Sequence, residues 1–255
     1  MMSIENQTAP THSISFVVPC FNEEANLEGT VDAVTEAARQ ANIECFEIII
    51  IDDRSTDGTG ELMTRLAQNN SHIVTVSNEV NLGLGGAYKE GLKRATGTYT
   101  IMIPGDNVHP AEDIVPILNK AGEADMVIPY VTNTHTRPWH RRAASRGFTM
   151  LINSLFHLNV PYFNGNVLHR TELLKHVNIT TDSFAYQAEA IVKLLNMGAT
   201  YCTVAVSLRD HNEGRSYAFA PKNVYRVGTA VFALWQSVTS DAMKLEANRL
   251  RSKKA

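Results

Sequence analysis

Phe46–Thr59 reads FEIIIIDDRSTDGT: four consecutive isoleucines, two aspartates, then a run of turn and cap residues. Four β-branched positions in a row leave no polar face, so a strand here must be covered on both sides. Continuous apolar strands of this kind belong to parallel sheets held between layers of helices. Thr56, Asp57 and Thr59 then supply turn and cap chemistry ahead of a helix carrying Leu62, Met63 and Leu66.

The same strand–turn–helix unit recurs on either side. SISFVVP (Ser13–Pro19) reads as a strand, and the following helix places Leu27, Val31, Val34 and Ala38 on one stripe. HIVTVS, YTIMIP and ADMVIPY continue the series, with helices near Gly85–Ala95 and Ala111–Ala121 between them. Alternation of this kind predicts an α/β fold, a mostly parallel central sheet flanked by helices. After Tyr130 the pattern breaks into a polar loop and a long basic and apolar helix from Trp139 to about Leu158. A short strand GNVLHR, a helix closed by Gly198 and a strand TYCTVAVSL complete the reading. Val224–Val238 (VYRVGTAVFALWQSV) reads as an amphipathic helix that packs on the domain or lies on a membrane surface.

At 255 residues the chain suits one large α/β domain. The expected division is an arm at 1–12, the domain at 13–220, and an amphipathic helix with a charged tail at 221–255. A net charge of -3 argues against a nucleic-acid partner held by global electrostatics. Cys20, Cys45 and Cys202 form no C-x-x-C pair, which fits reduced thiols and a cytoplasmic location. The polar start MMSIENQTAPTHS has no apolar core of a signal peptide, and no window reaches the roughly 18 apolar residues of a membrane span.

In an open parallel sheet, ligands collect outside the carboxyl ends of the strands. Leaving those ends are Pro19, Asn22 and Glu23; Asp52 and Asp53; Asn81, Gly83, Gly85 and Gly86; and Asp106 with Asn107 in TYTIMIPGDNVHP. Each has two readings. Asp52 and Asp53 are either a helix-capping cluster or part of a site. The glycines are either a phosphate-cradling loop, for which they lack G-x-G-x-x-G spacing, or a tight turn with a close helix approach. Asp106 is either turn chemistry or one leg of a metal site holding a phosphate.

Taken together, three ordered motifs resemble the inverting glycosyltransferases of family 2: VVPCFNEEANL, IIIIDDRSTDGT and NLGLGGAYKEGLKRATG. Phe21 stands where that family has tyrosine, and Arg54 where glycine is usual. GDNVHPAEDI, RPWHRRAASRGFTMLINSLF, YFNGNVLHRTELL, YQAEAIVKLLNMG and RDHNEGRSYAF look most like its dolichol-phosphate mannose synthase and polyprenyl-phosphate glycosyltransferase branch. The resemblance implies a GT-A fold, a Rossmann-like sandwich of the nucleotide-diphospho-sugar transferase type. It also implies transfer of a sugar from a nucleotide-diphosphate sugar, with inversion, to a polyprenyl phosphate such as dolichyl or undecaprenyl phosphate, as in cell-envelope glycan biosynthesis.

By the same resemblance, Pro19, Asn22, Glu23, Asp52, Asp53, Asn81 and Gly85 hold the nucleotide sugar. Asp106 stands on the second acid of a D-x-D turn and holds Mg²⁺ or Mn²⁺, with Pro104 on the first. Arg141, Arg142 and Arg146 meet the acceptor phosphate; Arg142 and Arg146 share a helical face one turn apart. Glu189 and His211 position donor or acceptor, and Arg215 with Ser216 contacts the diphosphate. His211 and Tyr217 stand where the branch has arginine and lysine. Three alternatives remain: peripheral docking at the cytoplasmic membrane face, recruitment by a membrane subunit, or a soluble or saccharide acceptor. The rival from another class is a non-catalytic nucleotide-sugar binder.

Overall fold

The computed structural model describes residues 12–133, 138–207 and 221–252. β2 (Phe46–Asp52) has all four isoleucines fully buried, and they point alternately to two different cores. Ile49 and Ile51 join Val17 in one apolar cluster, while Ile48 and Ile50 join Phe16 and Val18 in the other. That division follows from the period of two along a strand, and both layers of helices are needed to cover it.

The second cluster is built by α1 (Leu27–Gln40), α2 (Thr59–Asn69) and α4 (Ala111–Leu118). The first is closed by α3 (Gly83–Arg94), α5 (Trp139–Phe156), α6 (Thr171–His176), α7 (Tyr186–Asn196) and α8 (Pro221–Ser252). Between them lies one seven-stranded sheet in the order β3-β2-β1-β4-β6-β5-β7. Its remaining strands are β1 (Ile14–Cys20), β3 (Ile73–Ser77), β4 (Tyr99–Met102), β5 (Met126–Val131), β6 (Leu168–Arg170) and β7 (Tyr201–Val206).

The sheet is mostly parallel, as the sequence predicts, with one reversal. β6 inserts between β4 and β5 and pairs antiparallel to both. Two polar clasps hold this three-residue strand: Arg170 Nε donates to Asp125 Oδ1 at 2.9 Å, and the Thr100 and Thr171 hydroxyls meet at 2.8 Å. α6, which follows at once, has no strong periodic signal in the sequence because it is a turn and a half long.

α8 runs past the expected Val224–Val238 stretch at both ends. Val231 and Leu234 face inward in the core beside α5 and α7, while Tyr225, Phe232 and Trp235 are exposed. No described helix is long and apolar enough to cross a membrane.

Candidate active site

β1, β2 and β4 end side by side, and two backbone bonds fix their tips. Asp53 N donates to Cys20 O at 2.8 Å from one side, and Gly105 N donates to Pro19 O at 3.1 Å from the other. Asp53 and Asp106 therefore stand on the same edge of the sheet, on either side of the Pro19–Glu23 loop.

That loop is stitched to the one after β2. Asn22 N donates to Ser55 Oγ at 2.9 Å, and Asn22 Oδ1 accepts from Thr56 N at 2.8 Å. Glu23 N donates to Thr59 Oγ1 at 2.9 Å. Gly58 N donates to Glu24 Oε2 at 3.0 Å, so a carboxylate caps the start of α2, where negative charge is favoured. Arg54, at the position where glycine is usual, has φ of +64° and reaches the Glu79 carbonyl through Nη1. A left-handed backbone explains the usual glycine, and the long side chain gains a hydrogen bond in return.

The two aspartates differ. Asp52 Oδ1 accepts from Ser55 N at 2.9 Å beside the loop. Asp53 is 3% exposed, and its carboxylate takes three donors: Asn78 Nδ2 at 2.8 Å, Leu82 N at 2.9 Å and Gly83 N at 2.8 Å. Its capping reading therefore describes the contacts it makes, since it anchors the start of α3. Asn81 is tied into the same knot, donating from Nδ2 to Asp53 O at 3.1 Å. Gly85 is likewise a packing position. A Cβ there would lie 2.8 Å from the Asp182 carbonyl carbon, and Gly85 N donates to Asp182 O at 3.2 Å.

The Gly105–Asn107 turn leans on α1 through Asn107 N, which donates to Thr30 Oγ1 at 3.0 Å. Asp106 is left exposed, and among the described residues its Oδ1 accepts one long 3.3 Å bond, from Val108 N. Its charge is felt nearby. Burial pushes the Glu23 carboxyl above its usual range and the Asp106 and Asp57 charges push it further, against a hydrogen bond from Asn26. Burial raises the Cys20 thiol strongly too, with Glu23, Asp52, Asp106 and Asp57 all adding to the shift. Four carboxylates thus crowd this rim.

Beside the turn opens a cavity of about 550 Å³ lined by Pro104 and Val108 from the β4 end, Ile114 and Ile117 from α4, and Phe148 from α5. Arg141, Ala144, Ser145 and Phe148 form its α5 wall, the i, i+3, i+4, i+7 face of one helix. Arg142 and Arg146 lie on a neighbouring face and are not part of that wall. Of the expected arginines, the structure brings Arg141 to the cavity.

Glu189 is 3% exposed and is not in the cavity wall. Its Oε1 accepts from Thr180 N at 2.9 Å and from Lys193 Nζ at 2.6 Å, and its Oε2 from Thr181 N at 3.0 Å. These partners occupy the carboxylate, which staples the loop before α7 to that helix, so the structure places Glu189 apart from the cavity wall. Half a helical turn back, Gln187 does line the cavity. It contacts His169 on β6, and neither residue stands out in the sequence, because only the packing of α7 shows which member of the YQAEA segment faces inward. Asp113 of α4 is a further cavity-lining acid that sequence reasoning passes over. His211, Arg215 and Ser216 lie outside the described residues, as does most of the 1–12 arm.

Similar solved structures carry this fold. Glucosyl-3-phosphoglycerate synthase from Mycobacterium tuberculosis, in complex with Mn²⁺, UDP and glucosyl-3-phosphoglycerate, matches with a TM-score of 0.67 at 18% identity over 88% of this chain and 80% of that one. The same enzyme with Mg²⁺ and UDP gives a TM-score of 0.68, again at 18% identity over 88% of this chain and 80% of that one. Its complex with Mn²⁺, UDP-glucose and phosphoglyceric acid gives 0.68 with the same identity and coverage. These matches establish a GT-A architecture. The sequence profile described as Glycosyl transferase family 2 matches residues 15–178, well over half of the chain. This chain therefore belongs to glycosyl transferase family 2.

Proposed function

We propose that this glycosyltransferase moves a sugar, with inversion, from a nucleotide-diphosphate sugar to a polyprenyl phosphate, in the manner of the dolichol-phosphate mannose synthase branch. One observation carries the acceptor: the wall of the cavity beside the Asp106 turn includes the apolar Ile114, Ile117, Val131, Phe148 and Val227, with Arg141 as a cationic group in it. Hydrocarbon gains from the apolar part of such a wall. A guanidinium grips phosphate oxygens in pairs. The exposed Trp139, Tyr225, Phe232 and Trp235 of α5 and α8, with Arg142 and Arg146 nearby in sequence, suit a membrane surface from which such a lipid would enter.

On the donor side, Asn22, Glu23 and Asp52 with Pro19 offer the nucleoside a rim of hydrogen-bond acceptors. The surplus of carboxylate charge around Glu23 fits a divalent cation. Among the described residues no cluster of three His, Cys, Asp or Glu stands ready to ligate one. Mg²⁺ or Mn²⁺ would thus be held by Asp106 together with the donor's phosphate oxygens and water. When bound, it supplies Lewis-acid stabilisation of the departing diphosphate. A phosphate monoester is largely ionised near neutral pH and attacks without a strong base, which suits a site where Glu189 is occupied elsewhere.

A second reading has a specific observation behind it. Similar structures were solved with phosphoglyceric acid, a soluble phosphorylated acceptor. In that case Asp113 is an acid in the wall around the reacting hydroxyl. Mixing the protein with a panel of nucleotide sugars and Mg²⁺, and adding either undecaprenyl phosphate in detergent or phosphoglyceric acid, separates the two. Nucleoside diphosphate release that depends on the lipid phosphate is expected; release with phosphoglyceric acid alone would replace the proposal by the second reading.

A further inference from the structure

His169 is 1% exposed in the middle of the sheet, opposite Thr100 of β4 and Met126 of β5. Its Nε2 lies 3.0 Å from the Gln187 side-chain nitrogen, and among the described residues its Nδ1 has no hydrogen-bond partner. Burial pushes the imidazole down to about 3, so the ring is neutral and carries one proton. Where that proton sits decides how Gln187 is turned.

A proton on Nδ1 would be a buried N–H donor without an acceptor, the rarer and costlier kind of orphan. A proton on Nε2 needs an oxygen on Gln187. The side chain provides one by half a turn of its amide, which exchanges O and N without changing shape. Only a ring lone pair then stays unpaired. Gln187 is itself a residue of the cavity wall.

We infer that His169 donates from Nε2–H to Gln187 Oε1 and thereby turns the Gln187 NH₂ into the cavity, where it selects a phosphate oxygen over a hydroxyl. An NH₂ group donates more strongly to an ionised oxygen than to a neutral hydroxyl oxygen, and has no lone pair to receive a hydroxyl's proton. Gln187 is in this assignment an acceptor-binding residue, and His169 a positioning residue behind it. The selection rests on the proposed function, because it takes this cavity as the acceptor site; the proton assignment does not.

Two measurements on the full chain test it. In ¹⁵N-histidine NMR, His169, identified by loss of its signal in His169→Gln, should show a neutral ring protonated at Nε2. An Nδ1-protonated ring overturns the inference whatever the acceptor. Titration calorimetry with farnesyl phosphate, and with farnesol as the phosphate-free control, reads the selection. Gln187→Glu should weaken farnesyl phosphate by about tenfold or more while leaving farnesol unchanged. Equal weakening of both ligands, or of neither, overturns the role of the amide. Failure of the wild-type protein to bind farnesyl phosphate overturns the proposed acceptor and the selection with it, and the NMR result still decides the proton assignment by itself.

Discussion

The carboxylate of Asp53 accepts the backbone amide of Gly83 at 2.8 Å and so ties the end of β2 to the first turn of α3. Because Leu82 N and Asn78 Nδ2 share the same carboxylate, its removal strands three donors. Asp53→Ala should cost about 2–4 kcal/mol, from lost charge-assisted bonds and partly buried amides left unpaired. Urea denaturation measures this directly, and a midpoint equal to wild type would contradict the anchoring role.

Asp106 contrasts with it, since the residue is exposed and its one local bond is long. Asp106→Ala should leave stability within about 0.5 kcal/mol, as for an ordinary surface change. Turnover should fall by about 100-fold or more, the scale expected when transition-state charge stabilisation is lost. Thermal melting together with nucleoside diphosphate release checks both halves; full activity in this variant would remove the metal role from Asp106.

Arg141 lines the cavity, and Arg142 and Arg146 do not. Arg141→Ala should therefore weaken farnesyl phosphate binding by about 10- to 100-fold, the worth of a charge-assisted bond. The double change Arg142→Ala with Arg146→Ala should mainly reduce binding to anionic lipid vesicles. A reversed pattern in these two assays would move the phosphate site to the neighbouring helix face.

Glu189 predicts a pH dependence. Burial by itself would raise its carboxyl, but hydrogen bonds from Lys193, Thr180 and Thr181 outweigh that and hold it below the ordinary value of 4.5. A carboxyl lowered by folding contributes stability that is present in full above its unfolded value and is lost as pH falls through the folded one. The melting temperature of Glu189→Gln should thus lie below that of wild type at pH 7, with the gap closing below about pH 4.5. A gap that does not change with pH would assign the effect to packing.

Two glycines make a paired test of space. Gly85→Ala puts a methyl 2.8 Å from Asp182 backbone and should cost about 1–3 kcal/mol by overpacking. Gly147, in exposed α5 with nothing within 4 Å, should accept alanine with a gain of up to about 1 kcal/mol from helix propensity. Calorimetric melting of the two variants should move in opposite directions.

Much of this protein is written in short stretches. FEIIIIDD commits its strand to burial on both faces because no register hides four adjacent isoleucines behind one layer, and the three glycosyltransferase motifs lie in the turns that follow such strands. Local chemistry suffices there: turn residues, caps and apolar runs act over a few positions. Tertiary structure decided the rest. β6 is too short to signal its reversed direction, which depends on Arg170 finding Asp125 and Thr171 finding Thr100 far away in the chain. Arg141, Arg142 and Arg146 are equivalent as letters, and only the rotation of α5 against the sheet turns one of them to the cavity. Glu189 and Gln187 differ by half a helical turn, so packing of α7 buries the acid against Lys193 and sends the amide to the site. Side-chain direction on a helix is a property of what the helix leans on, and that information is spread over the whole chain.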